Sequence, residues 1–558
     1  MHTNSASLSL IIHQKHNTSI LISHLLNTSK TIDHLRQTQV LLLKHLITPH
    51  HYQYFAGRLL LRILKCPDDN LRYASQVFDH IPSCKNGFLW TSLIRKYALH
   101  HHFHRSISLY ARMHQNGVLP SGFTFTSVLN ACGRVPAISE GNQVHSRVLQ
   151  SGLYNNKIVQ TAILDMYAKC GLLSDARVVF DEMGERDVVA WTAMICAYTK
   201  VGMMVDAMCL FENMEERNSF TWTTMVAGYA NNGDMKSAKE LFDMMKEKNI
   251  VTWVAMIAGF GKCGDVREAR RVFDEIPVPD ASSFAAMVAC YAQNGFAKEA
   301  IKMYNNMRER KIRVSVVAVV GAISACAQLR DVHLSRTLTN QLEEDCSDRT
   351  LAISNALIHM HSKCGNIGLA WREFNRISNR DVISYSALIT ALAEHGKSQD
   401  ALDLFSRMQK EGVKPNQITF VGVLNACSYA GLVEEGCLYF NQMTDLFGIK
   451  QLPEHYSCMI DLLGRAGQLE RACDLIQENA SEDATAWGSL LAACRVHGNV
   501  ELGEIAARRL FEIDPKDSAN YVLLANTYAS NNRWDDVEKV KKLMNERRMR
   551  KSPGCSWI

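Results

Sequence analysis

The sequence has 558 residues, far more than one hydrophobic core accommodates, with 21% charged residues and a formal net charge of +5. So mild an excess of base is compatible with nucleic acid without arguing for it. No apolar run reaches about 18 residues, so no helical membrane span is expected.

Residues 1–35 hold a single acid, Asp33, among many Ser, Thr, Asn and His residues. A low-acid, Ser-rich start resembles an organellar transit segment. The first arginine is Arg36, however, and the same stretch also reads as a degenerate first helix pair. Residues 36–86 read as degenerate first repeats, because YASQVFDHIPSCKN aligns with DARVVFDEMGERD further along.

The stretch from Lys157 to Asp187 shows the organising pattern. Ile163, Met166, Tyr167 and Cys170 recur at helical spacing, a turn follows at Lys169-Cys170-Gly171, and Leu173, Ala176, Val179 and Phe180 repeat the spacing. Neither helix is long enough to stand alone in water, so the hairpin must stack on copies of itself. Copies are present: the hydrophobic frame cuts the chain at 87–121, 122–156, 157–187, 188–218, 219–249, 250–280, 281–315, 316–350, 351–381, 382–416, 417–452 and 453–483. Two divergent units follow at 484–517 and 518–551, and residues 552–558 form a tail.

The 17 cysteines follow this frame rather than a disulfide framework. Cys170, Cys263 and Cys364 share one place in short units, and Cys132, Cys326, Cys427 and Cys494 share another in longer ones, which predicts small buried apolar groups in a reducing compartment. There is no C-x-x-C and no H-x-E, so a zinc deaminase signature is missing from this sequence. No paired carboxylate, nucleophile–base motif or phosphate loop stands apart from the repeats, so neither catalysis nor a cofactor, metal or small-molecule substrate is expected. The histidines at 50–51 and at 100–102 and 104 read as solvated turn. Trp191, Trp222 and Trp253 read as core at a helix seam rather than as base-stacking platforms, and Arg547, Arg548, Arg550 and Lys551 as a charged helix end.

The unit VISYSALITALAEHGKSQDALDLFSRMQKEGVKPN resembles the pentatricopeptide repeat throughout, and the alternation of 31-, 35- and 36-residue units resembles the plant subfamily with long and short variants. The last two units and the tail, from AWGSLLAACRVHGN to KSPGCSWI, are similar to the paired E motifs of plant organellar RNA-editing factors. The resemblance implies an all-α, right-handed superhelical solenoid of helix-turn-helix repeats that binds single-stranded RNA one base per unit. It places base reading at the fifth and last residues of each unit. Those pairs are Thr91 with Ser121, Thr126 with Asn156, Thr161 with Asp187, Thr192 with Asn218, and Thr223 with Asn249. Beyond a poor middle (Val254 with Asp280, Ala285 with Ser315, Val320 with Thr350), they resume as Asn355 with Asp381 and Ser386 with Asn416, fail at Val421 with Leu452, and close with Ser457 and Asp483.

By the code of the family that it resembles, Thr or Ser with Asn implies adenine, with Asp guanine, and Asn with Asp uracil. The implied target is purine-A-G-A-A-n-n-n-U-A-n-G. A simpler account competes for the last residues, since Asp, Asn and Ser are the favoured helix N-caps. The implied function is site recognition for C-to-U editing in a mitochondrion or chloroplast, with a DYW-type deaminase recruited in trans through the E motifs. A stability or processing factor without editing, or a protein-binding scaffold, are the alternatives.

Overall fold

In the computed structural model residues 21–28, 31–44, 49–66, 70–81, 84–345 and 349–546 are described, and among them all regular structure is helical. Each unit is an antiparallel hairpin. Lys157–Lys169 and Leu173–Glu182 bury Ile163, Met166 and Tyr167 from one helix against Ala176, Val179 and Phe180 from the other. Gly171 turns the chain between them at φ 80°, a left-handed conformation that a Cβ disfavours.

The chain divides into two compact units, one up to Cys263 and one from Gly264 onward. Within the first, first helices stack on first helices: Gly122–Arg134 on Lys157–Lys169, and Val188–Val201 on Ser219–Asn231, which packs in turn on Ile250–Lys262. Within the second, Val382–Glu394 packs on Gln417–Ala430, then come Pro453–Arg465 and Ala484–His497. The last two hairpins are Ala484–His497 with Val500–Ile513, and Ser518–Ser530 with Trp534–Glu546.

One seam recurs between neighbours. The fourth residue of a unit meets, edge to face, a phenylalanine from the preceding second helix. The ring centroids lie 4.9 Å apart for Phe180–Trp191, 4.8 Å for Phe211–Trp222, 4.7 Å for Phe242–Trp253 and 5.1 Å for Phe374–Tyr385. An arginine then closes the second helix. Arg186 Nε donates to the Phe180 carbonyl at 2.8 Å and Arg217 Nε to that of Phe211 at 2.7 Å, each guanidinium lying over the ring it serves. The tryptophans therefore belong to the hydrophobic seam, as their spacing suggests.

Several expectations need correction. Cys132, Cys326, Cys427 and Cys494 are fully buried, and burial pushes the Cys132 and Cys427 thiols up to about 12. Cys364 at its helix C-terminus is buried too, but at the same place Cys263 is exposed and Cys170 half-buried. The histidines at 50 and 51 lie in the Pro49–Lys65 helix rather than in a turn, and His104 lies in Phe103–Gln115. Residues 1–20 and the basic cluster at 547–551 lie outside the described residues. Residues 21–28 are helical, with Ile22 and Leu26 buried, and Arg58 of the next hairpin donates to Asn27 Oδ1 at 2.7 Å.

Candidate nucleic-acid interface

The last residue of each unit is extended and opens the next first helix. Asn218, Asn249, Asp381 and Asn416 each accept, through Oδ1, the backbone N–H three residues on, at 2.8–2.9 Å. Asp187 does the same at 2.8 Å, and Ser121 more weakly at 3.3 Å. Asn156 accepts from Ile158 and Val159, and Asp483 from Thr485. The capping account is thus correct for all eight proposed last residues.

The fifth residue lies one turn into the first helix of its own unit, next to the helix that its paired last residue opens. Its hydroxyl gives its proton to its own helix: Thr161 to Lys157 at 2.9 Å, Thr192 to Val188 at 2.6 Å, Thr223 to Ser219 at 2.8 Å, Ser386 to Val382 at 2.7 Å. Thr91 bonds Gly87, Thr126 bonds Phe123 and Ser457 bonds Pro453 in the same way. Those hydroxyls are therefore left as acceptors toward the groove.

A third residue joins the pair, one that the sequence reading passed over. It is the third residue of the following unit. Thr223 Oγ1 lies 2.8 Å from Thr252 Oγ1, which donates to Asn249 Oδ1 at 2.9 Å, while Asn249 Nδ2 donates back to Thr223 Oγ1 at 2.9 Å. Triangles also form from Ser386, Thr419 and Asn416, and from Asn355, Ser384 and Asp381, but there the third edge runs from the fifth residue to Oδ1 of the last, at 3.4 Å and 3.3 Å. Thr192 and Asn218 are joined through Thr221, and Thr91 and Ser121 through Thr124. The remaining pairs, Thr126 with Asn156, Thr161 with Asp187, and Ser457 with Asp483, face Val159, Ala190 and Ala486 at that place and form no such bridge.

Burial raises the Asp381 carboxyl, but the Ser384 amide and hydroxyl and the Asn355 amide together hold it below the usual carboxylate value. At neutral pH Asp381 is therefore a pure acceptor.

In the second unit these pairs open onto a cleft of about 450 Å³, lined by Asn355, Ser386 and Asn416 with Ile383 and Ile418 beside them. Those isoleucines are second residues of their units. The place is apolar and strongly exposed along the array: Phe88 65%, Phe123 66%, Phe220 65% and Ile418 62%, with Ile158, Val189, Val251, Val317 and Ile383 similar. Nine exposed apolar side chains recur at this place, interrupted by Ser282, Ala352 and Glu454, and offer flat contact surface. Lys363 and Glu394, the thirteenth residues, line the same cleft and pair at 2.7 Å. In the first unit that place carries Arg134, Lys169, Lys200 and Lys262, three turns along from the apolar residues and interrupted by Leu99 and Asn231, with Lys169 paired to Asp165.

Stacked helical hairpins in which polar pairs and exposed apolar residues recur at fixed places define a helical-repeat protein. The PPR repeat matches at residues 161–188, 189–219, 220–250, 251–278, 282–312, 418–446 and 454–478, the PPR repeat family at 380–429, the pentatricopeptide repeat domain at 85–135, and the E motif at 497–558. A pentatricopeptide repeat-containing protein of Arabidopsis thaliana is 41% identical over 90% of this chain and 86% of its own length. A second, mitochondrial one is 35% identical over 88% of this chain and 62% of its own. The chloroplastic protein CRR2 of the same plant is 37% identical over 87% and 61%. The chain thus spans less than two thirds of two of these relatives. The crystal structure of maize PPR10 matches 95% of this chain and 93% of its own with a TM-score of 0.50 at 15% identity, which shows a shared fold. The chain belongs to the pentatricopeptide repeat family and carries an E motif.

Proposed function

We propose that this chain is a sequence-specific single-stranded RNA-binding protein of a plant mitochondrion or chloroplast, and that it selects sites for C-to-U editing by a deaminase supplied in trans. The observation that carries the reading is the recurring pair of a fifth and a last residue, joined at five places by a buried hydroxyl of the following unit, with exposed apolar second residues beside the pairs. With Oδ1 tied down by the cap, the other terminal atom of the last residue is the one to meet a base, at Asn249 by exchanging the bonds of Nδ2 to Thr223 and Ser219. In Asn that atom is an N–H donor, which suits the N1 acceptor of adenine. In Asp it is an acceptor, which suits the N–H of guanine or uracil. The apolar second residues of neighbouring units supply surface for the base faces, and the basic thirteenth residues draw the phosphates. Organellar placement rests on the mitochondrial and chloroplastic relatives, and the editing role on the E motif.

The test is cDNA sequencing of mitochondrial and plastid transcripts from a plant lacking the protein. Loss of editing at cytidines preceded by a sequence like A-G-A-A-n-n-n-U-A supports the reading. Intact editing with a mis-ended or missing transcript refutes the editing role and leaves RNA binding standing.

A further inference from the structure

We propose that the third residue of the following unit (Thr124, Thr221, Thr252, Ser384 or Thr419) is a positioning residue for base reading, so that bridged pairs fix the target sequence while unbridged pairs read loosely. The inference rests on the RNA-binding function proposed above and adds a residue class to it.

Three observations carry it. First, all five hydroxyls are fully buried. A buried hydroxyl is costly unless bonded, and valine would fill the same space without that cost. Each instead spends its bonds on both members of a reading pair.

Second, the protons leave one arrangement. The fifth-place hydroxyls of Thr192, Thr223 and Ser386 give their protons to carbonyls of their own helices. The bridging hydroxyl therefore donates, to Oδ1 of the last residue or to the oxygen of the fifth. Flipping the amide of Asn218, Asn249 or Asn416 would turn Nδ2 toward a backbone N–H and force the bridging hydroxyl to accept from Nδ2 instead of donating to Oδ1. The bridge thus ties the fifth residue to the last and leaves Nδ2 of Asn218 and Asn416 outward, whereas Asn249 Nδ2 donates to Thr223 Oγ1 and Ser219 Oγ.

Third, the bridge forms on one cap geometry, which also occurs without it at Asp280, with ψ −177°, and Leu452, with ψ 163°. The caps of bridged pairs share ψ near 180°: 169° at Ser121, 170° at Asn218, 164° at Asn249, 178° at Asp381 and −176° at Asn416. Unbridged Asn156 and Asp483 sit at 115° and 107°. Asp187 has the bridged geometry, with ψ 168° and a bond from the Ala190 amide, and lacks only the hydroxyl. The site at Ala190 is a bridge with one atom missing.

Equilibrium binding of the full chain is measured against the implied single-stranded RNA target and its single-base replacements at each unit. The variants are Thr221→Val, Thr221→Ser, Ala190→Thr and Asn218→Asp. Thr221→Val should cut discrimination about fivefold, the worth of one neutral hydrogen bond, at the nucleotide read by Thr192 and Asn218 and nowhere else. Thr221→Ser should keep it. Ala190→Thr should raise discrimination about fivefold at the nucleotide read by Thr161 and Asp187, an arm that does not depend on Thr221→Val folding. Uniform weakening on all oligonucleotides by Thr221→Val, with unchanged ratios and no gain from Ala190→Thr, would mark the hydroxyls as structural and overturn the inference. If Asn218→Asp also leaves base preference unchanged, base reading itself falls, and the two failures are told apart by that variant.

Discussion

Asn416→Asp isolates base reading from helix capping. Asp caps as well as Asn, so the Gln417–Ala430 helix keeps its N-terminal bond. Oδ1 retains the Thr419 amide and hydroxyl, both at 2.9 Å, and nothing in the seam moves. What changes is the atom that faces the cleft with Ser386, from an N–H donor to a carboxylate oxygen. Toward adenine this forfeits one neutral hydrogen bond of about 1 kcal/mol, and toward guanine it gains a charge-assisted one of about 1.5–3 kcal/mol. The preference should swing by about 2–4 kcal/mol, and the open cleft places the result toward the lower end, a change of about thirtyfold in the adenine-to-guanine ratio. Fluorescence anisotropy on two oligonucleotides differing at that base, at one salt concentration, reads it directly. An unchanged ratio, with the melting temperature also unchanged, would refute the assignment of Ser386 and Asn416 as a reading pair.

Thr192→Asn should weaken the adenine preference at its one nucleotide, checked by the same binding series. Gly422→Ala should lower the melting temperature, since the new Cβ falls 2.8 Å from Thr390 Oγ1 and 3.2 Å from its backbone nitrogen. The cost is about 1–3 kcal/mol, measured by thermal or urea denaturation. The Asp381 carboxyl titrates below its ordinary value when folded. Its stabilisation is therefore present above that ordinary value and lost as pH falls through the folded one, and the uracil preference of Asn355 and Asp381 should stay flat from about pH 8 to about pH 5. Lys200 is an exposed basic thirteenth residue. Lys200→Gln should weaken binding equally for all sequences and reduce the slope of log affinity against log salt by about 0.7, read from a salt titration.

The hairpin was legible because helical spacing and buried apolar positions coincide. Ile163, Met166, Val179 and Phe180 are core, and Trp191, Trp222 and Trp253 lie on the seam as their spacing implies. The same logic hides the second residues. Phe88, Phe123 and Ile418 look like core by hydropathy, and only the stacking of first helices shows that this place is left bare. Cys263 failed in the opposite sense, exposed at a place where Cys364 is buried. The bridging hydroxyls did leave a signal. Thr124, Thr221, Thr252 and Thr419 each stand three places after a cap residue, the spacing of a capping box. Their contact with the preceding unit, however, depends on a stacking register that no local pattern encodes.

Joining cap and reader in one residue limits what the array can say. The last residue must open a helix, so it is drawn from the side chains that cap: Ser, Asn, Asp or Thr. Those four differ mainly in whether the outward atom donates or accepts, which is also what separates the Watson–Crick edges of the bases. The poor middle of the array separates the two duties. Asp280 still caps through the Ser283 amide at 2.9 Å and Ser315 through Ala318 at 3.4 Å, yet Val254 and Ala285 give them no polar partner at the fifth place, while Thr350, paired with Val320, makes no side-chain cap. At Asp280 and Ser315 capping therefore persists where reading lapses. Leu452 shows the reverse release: Pro453 at the first helical position needs no N–H partner, and the Leu452 amide is met by His455 Nδ1 at 3.0 Å. With the helix start secured by other means, the unit can carry a side chain that neither caps nor reads. A base should thus be specified only where a polar fifth residue and a capping last residue coincide, and the three middle units and unit 417–452 should tolerate any nucleotide.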